Sequence, residues 1–171
     1  KIGLVPSIEF LNIILQKTFK IQDSRFKIQP TVIWDPVLSA SAGFEFKQCL
    51  QDFTQVVSKL DYITPNWNEI EKLTDEDAQS GANTLSKYCK VYLKGGHSDE
   101  LGKDYLYTLE NVYPFRMKQK GFEKHGSGCI FSSALASNLA LGYTEIKACL
   151  NAKRYVEKRL SSNKKLLAYH T

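Results

Sequence analysis

Residues 123–142 read "EKHGSGCIFSSALASNLALG". Glycines at 126 and 128 let the backbone turn so that successive N–H groups face one point. The small and apolar residues that follow suit a helix whose positive end adds to that field. A Gly-rich turn opening a helix is a ready phosphate site. The competing reading is a tight loop whose glycines merely permit close packing. Cys129 begins the helix, where the dipole favours thiolate over thiol. It reads as a nucleophile or general base, or else as a small apolar residue packed under the loop.

Working outward, short apolar runs alternate with helical patterns. "KIGLV" reads as a buried strand, followed by a helix with Ser7 as N-cap and Ile8, Leu11, Ile14, Leu15 and Phe19 at helical spacing. "TVIW" is a second strand, ending where Pro36 forces Asp35 into an extended conformation. Residues 45–60 show a helical stripe of Phe46, Leu50, Phe53, Val56, Val57 and Leu60. "YIT" and "KVYLKGG" are further strands, with helices "NEIEKL" and "DAQSGANTLSKY" between them. "KDYLYTL" and "NVYPFRMK" alternate around a short turn and predict a hairpin. Two helices follow from Gly128. The second has Thr144 as its cap and Ile146, Leu150, Tyr155, Val156 and Leu160 on its inner face. Alternating strands and helices predict a three-layer α/β fold with a mainly parallel central sheet flanked by helices.

A chain of 171 residues with 43% hydrophobic and 24% charged residues fits one soluble domain. Its apolar runs are too short to span a bilayer, and its first residues lack the pattern of a signal peptide. Cysteines at 49, 89, 129 and 149 form no C-x-x-C pair, which argues against structural zinc and makes a reducing, cytoplasmic setting the default. Residues 114–171 carry 11 Lys/Arg against 3 Asp/Glu. That excess is a solvated basic face or an attractor of an anionic small molecule. No dense basic run is interleaved with aromatics, so nucleic acid is not an expected partner.

In parallel α/β folds ligands bind at the carboxyl ends of strands. That rule puts Asp35, Asn66, Lys94 with Gly95-Gly96, and the 126–129 loop on one rim. Asp35 follows an apolar strand and either caps a turn or works near Mg²⁺ or phosphate. Asn66 and Glu69 share a face on a first helical turn. They suit Mg²⁺ held partly through water, or form an ordinary helix start. Lys94 could touch nucleotide phosphates, with Gly95 and Gly96 allowing close approach; a plain Gly-Gly turn is the rival. A hydrolase would pair Cys129 with a histidine, either His125 in the turn or His97 on the rim.

Taken in order, "IWDPV", "ITPNWNEIEKL", "VYLKGGH" and "KHGSGCIFSSALASNLALG" resemble the hydroxymethylpyrimidine/phosphomethylpyrimidine kinases of thiamine biosynthesis, a branch of the ribokinase superfamily. The resemblance covers essentially the whole chain and implies one ribokinase-like kinase domain over residues 1–171. It implies a phosphotransferase that uses ATP and Mg²⁺ to phosphorylate 4-amino-5-hydroxymethyl-2-methylpyrimidine and then its monophosphate. Gly126, Ser127, Gly128 and Cys129 would form the anion hole, with Cys129 in the place of the base where many sugar kinases carry aspartate. Asn66 and Glu69 match the N-x-x-E motif tied to Mg²⁺. Asp35 matches the aspartate near metal and phosphates, and Lys94 with Gly96 matches the nucleotide-side strand end. Partners would be the pyrimidine, ATP and a second copy in a cytoplasmic homodimer, with no membrane and no nucleic acid.

Two departures stand out. The Gly-rich, pyrimidine-binding segment with which the family begins has no match here, so the N-terminal part of the domain is expected to be missing. Glu123-Lys124 precede His125 where many members have a threonine two positions before the Gly turn. The alternatives are a pyridoxal or pyridoxine kinase, a catalytically idle nucleotide-binding domain of the same fold, and a cysteine hydrolase.

Overall fold

Val91, Tyr92 and Leu93 are all buried, and the period-2 pleat sends them to opposite faces of a sheet. They lie in the middle strand of a computed structural model that describes residues 1–21, 30–38, 53–95, 102–118 and 121–169. The sheet runs β1 (Ile33–Trp34), β2 (Tyr62–Ile63), β3 (Lys90–Leu93), β4 (Asp104–Tyr107), β5 (Val112–Phe115), adjacent in chain order. β1, β2 and β3 pair in parallel, whereas β3–β4 and β4–β5 are antiparallel. "KIGLV" adds one parallel bridge, Ile2 to Trp34, beside β1.

The helices are α1 (Ile8–Ile21), α2 (Phe53–Val57), α3 (Trp67–Thr74), α4 (Ala78–Leu85), α5 (Ser127–Ala140) and α6 (Glu145–Leu160). One core joins Leu11, Leu15, Val57, Ile70 and Leu85 to Trp34, Ile63, Val91 and Leu93. The other joins Phe131, Leu135, Ala148 and Ala152 to Ile33, Tyr62, Tyr92 and Leu106. The strands thus carry α1–α4 on one face and α5–α6 on the other, which is the three-layer arrangement the alternation predicts. Each fully buried leucine removed from water contributes about 2 kcal/mol.

Local chemistry explains most boundaries. The Ser7 hydroxyl accepts from Phe10 N–H at 3.2 Å, and so starts α1 as expected. In the hairpin the Thr108 N–H donates to Asn111 O at 2.9 Å. Pro114 is tolerated in β5 because, among the described residues, that strand pairs only with β4, and an edge position needs no second ladder bond. Of the helix expected over residues 45–60, α2 is the described part; Phe46 and Leu50 lie outside the described residues, as does the Phe19 side chain.

α6 departs from expectation. Thr144 occupies the N-cap position without a side-chain capping bond. Ile146 and Tyr155 are exposed, while Ala148, Cys149, Ala152, Lys153, Glu157 and Arg159 are buried. Small residues let α6 approach α5 closely. In its later turns, polar partners make burial of charge affordable: Lys153 pairs with Asp104 at 2.8 Å and Arg154 with Glu157 at 2.7 Å. An apolar stripe read from spacing misses a face built this way.

Candidate active site

Three parallel strand ends and one helix start meet at Asp35. β1 delivers the residue itself, whose N–H donates to Ile2 O at 2.9 Å. β2 delivers Thr64, whose hydroxyl donates to Asp35 Oδ1 at 3.2 Å. β3 delivers Lys94, tied to the β2 exit by its N–H to Pro65 O and reaching Asp35 Oδ1 with Nζ at 2.9 Å. From α5, Ser132 Oγ donates to Asp35 Oδ2 at 3.1 Å, and Lys1 Nζ lies 3.7 Å from the same oxygen. Asp35 is only 1% exposed. Burial alone would raise its carboxyl, but Lys94, then Lys1 and Ser132, outweigh that and hold it below the usual carboxylate range.

Glu69 approaches the same ammonium, with Oε2 3.7 Å from Lys94 Nζ. It is placed by a reciprocal capping box: Asn66 N–H donates to Glu69 Oε2 at 2.7 Å, and Glu69 N–H donates to Asn66 Oδ1 at 2.8 Å. The helix-start reading of this pair is therefore realised, and Asn66 Oδ1 is committed to it. Burial pushes the Glu69 carboxyl up, against the pull of Lys94. Lys94 itself would be lowered by burial, but Asp35 and Glu69 raise it, so it stays a cation between two carboxylates.

The α5 start closes the site. Gly126 is its N-cap at φ 73°, a left-handed conformation that side chains disfavour. At Gly128 a Cβ would sit 2.9 Å from Lys94 Nζ, so a side chain there would push the ammonium tip aside. The first bond of α5 runs from Ile130 N–H to Gly126 O, so the amides of Ser127, Gly128 and Cys129 precede the helical ladder beside the part-buried Lys94 cation. Amides arranged this way suit an anion. A small cavity of about 130 Å³ opens beside them, lined by Lys94, Gly128 and Lys153 of α6.

Cys129 differs from the expectation drawn from the helix dipole. Partial burial pushes its thiol up, and the negative charge of the nearby Asp35 pushes it the same way against Lys1 and Lys94. The thiol, not the thiolate, is the resting form, which weakens the hydrolase alternative. His125 is exposed, and His97 lies outside the described residues. On its outer side Cys129 lines a groove of about 690 Å³ between α5 and α6.

Asp35, Asn66, Glu69, Lys94, Gly126, Ser127, Gly128 and Cys129 thus share one site, while Gly96 lies outside the described residues. Thr64 and Ser132 escaped the sequence reading. Thr64 directly follows an apolar strand, and Ser132 lies one turn after Cys129 on the same helix, and these were the available signals. Among the described residues no group of three or more His, Cys, Asp or Glu could hold a metal ion. None of their helices is long and apolar enough to cross a membrane.

The low Asp35 pKa has a measurable consequence. A depressed carboxyl stabilises the fold fully above the unfolded value of about 4, and that contribution is lost as pH falls through the folded value. In urea unfolding, the stability gap between the wild type and Asp35→Asn should narrow from pH 6 to pH 3. A gap that widens towards acid would contradict the ion-pair account.

The profile of one protein family, described as phosphomethylpyrimidine kinase, matches residues 1–171. A hydroxymethylpyrimidine/phosphomethylpyrimidine kinase of Staphylococcus aureus (strain MRSA252) is 33% identical over 144 residues, covering 74% of this chain and 51% of the relative. Its counterpart in Aquifex aeolicus is 29% identical over 182 residues, covering 97% and 68%. The chain therefore spans about half the length of the first relative and about two-thirds of the second. Among solved structures, the pyridoxal kinase of Staphylococcus aureus in complex with AMP-PCP and pyridoxal superposes with a TM-score of 0.73 at 22% identity, over 96% of this chain and 62% of that one. At that identity the likeness shows the fold.

Proposed function

The chain belongs to the phosphomethylpyrimidine kinase family, and from that premise we propose that its strand-end cluster is the phosphoryl-transfer centre of an ATP-dependent kinase. The acceptor is 4-amino-5-hydroxymethyl-2-methylpyrimidine, and then its monophosphate. The observation that carries the reading is the meeting of Lys94, Asp35 and the start of α5 within one buried cluster.

Phosphoryl transfer through a loose transition state asks mainly for positioning and for charge stabilisation. The amides of Ser127, Gly128 and Cys129 face the transferring group, and Lys94 neutralises charge on the nucleotide side. Cys129 orients the acceptor hydroxyl. As the new P–O bond forms, the hydroxyl proton passes to Sγ while the thiol proton passes to the ionised Asp35, so both protons are accounted for.

Glu69, Asn66 and Asp35 are the residues that would hold Mg²⁺, too few to bind it without the phosphate oxygens of ATP. Glu69 Oε2 is engaged by the Asn66 amide, which leaves Oε1 to hold the ion through water, with Asn66 orienting the carboxylate and Asp35 close by. When bound with ATP, the ion would neutralise phosphate charge. We place the enzyme in the cytoplasm as a homodimer, in keeping with the family.

The test is a side-by-side assay of the intact protein with the pyrimidine alcohol and with pyridoxine. A higher kcat/KM for the pyrimidine supports the assignment. Preference for pyridoxine moves the protein to the pyridoxine-kinase alternative. Turnover of neither, with Mg-ATP binding retained, makes it an idle nucleotide-binding domain.

A further inference from the structure

Lys124 stands two residues before the Gly126 turn, yet it is only 5% exposed. Its ammonium donates to the carbonyl oxygens of Asn163 and Lys165, both at 2.6 Å, and lies 5.7 Å from the centroid of the Phe122 ring. Backbone bonds join the same two segments. Phe122 N–H donates to Leu160 O at 3.0 Å, and His125 N–H donates to Leu166 O at 2.9 Å. Leu160 ends α6 and lines the small cavity together with Gly128 and Lys94.

The turn needs an outside restraint. Gly126 is left-handed, and among the described residues no atom outside its chain neighbours lies within 4 Å of where its Cβ would be, so contacts from the flanking residues must help to hold the turn. The Asn163 and Lys165 carbonyls lie beyond the end of α6, and a buried ammonium that they accept from is a charge-assisted donor to both. A lysine reaching back from the strand-to-helix connection therefore ties the start of α5 to the end of α6.

We propose that Lys124 is a positioning residue, a tethered cation that fixes the 125–128 turn to the segment leaving α6. Its consequence for turnover rests on the kinase reading; the clamp itself does not. Removal of the side chain leaves two carbonyl oxygens around a space the size of an ammonium ion, which makes ammonium the natural probe.

The experiment compares the intact wild type with Lys124→Ala and Lys124→Gln. It measures kcat, KM for ATP and amide hydrogen exchange over residues 121–130, in ammonium chloride and in sodium chloride of equal ionic strength. Lys124→Ala should lower kcat by about 10²-fold with KM nearly unchanged, the cost of a misplaced site, and should speed exchange at His125. Ammonium should restore part of both effects, and sodium should not. Lys124→Gln keeps N–H donors and offers a gentler variant should alanine fail to fold; it should show the same changes in smaller degree. Wild-type kcat and exchange in both variants would overturn the proposal, as would losses that ammonium and sodium affect equally. A wild type that transfers no phosphoryl group would sink the kinase reading instead, while the exchange and ammonium measurements still decide the clamp.

Discussion

Alanine at position 129 should lower kcat by about 10³-fold while leaving the affinity for Mg-ATP within about twofold, the loss typical of a group that handles the reacting proton. Cys129 lies at the third helical position of α5, where partial burial and the nearby Asp35 carboxylate keep it a thiol, and in the proposed reaction it stands between the acceptor and that carboxylate. Its truncation removes no charge and opens no large void, since the residue is exposed on its outer side. Folding should therefore survive, and the Tm should stay within a few degrees. Serine, which also relays a proton, should retain more activity than alanine. Steady-state kinetics paired with calorimetric titration of Mg-ATP reads both quantities. Retained turnover in Cys129→Ala would remove the residue from the reaction.

Replacing Lys94 with methionine should have the larger structural effect. The ammonium lies 2.9 Å from Asp35 and 3.7 Å from Glu69, and both carboxylates are buried or nearly so. Removing one partner of a buried pair costs about 3–5 kcal/mol, because the remaining charge stays behind without compensation. For a chain of this size that is a fall in Tm of about 10 °C. Lys1, at 3.7 Å from Asp35, offsets only part of it. Turnover should drop below detection, since the same cation serves the phosphates. Adding Asp35→Asn to Lys94→Met should recover part of the stability, because neutralising Asp35 removes the stranded charge. Thermal melts of the single and double variants measure the coupling. Additive losses would mean that the two side chains do not act as a pair.

The sequence showed the rim of this site more clearly than its floor. Asp35, Asn66 and Lys94 each follow an apolar run of β character, and the α/β alternation places such residues at neighbouring strand ends. The glycines at 126 and 128 announced the turn. What escaped were polar partnerships across long stretches of chain. Ser132 meets Asp35 across 97 residues, and Lys124 meets the carbonyls of Asn163 and Lys165 across 39 and 41. No periodicity encodes such pairs. α6 misled for the same reason, because its inner face buries Lys153 and Glu157, which pattern reading assigns to solvent. At Cys129 the helix dipole was visible in the chain, whereas the partial burial and the Asp35 carboxylate that act against it were not.

Single-turnover transfer from ATP labelled at its γ-phosphate tests the central claim most directly. With the intact protein, Mg²⁺ and 4-amino-5-hydroxymethyl-2-methylpyrimidine, the label should appear in the pyrimidine monophosphate. Transfer should be lost in Lys94→Met and slowed in Cys129→Ala. Absence of labelled pyrimidine from a wild-type protein that binds Mg-ATP, or transfer undiminished in both variants, would contradict it.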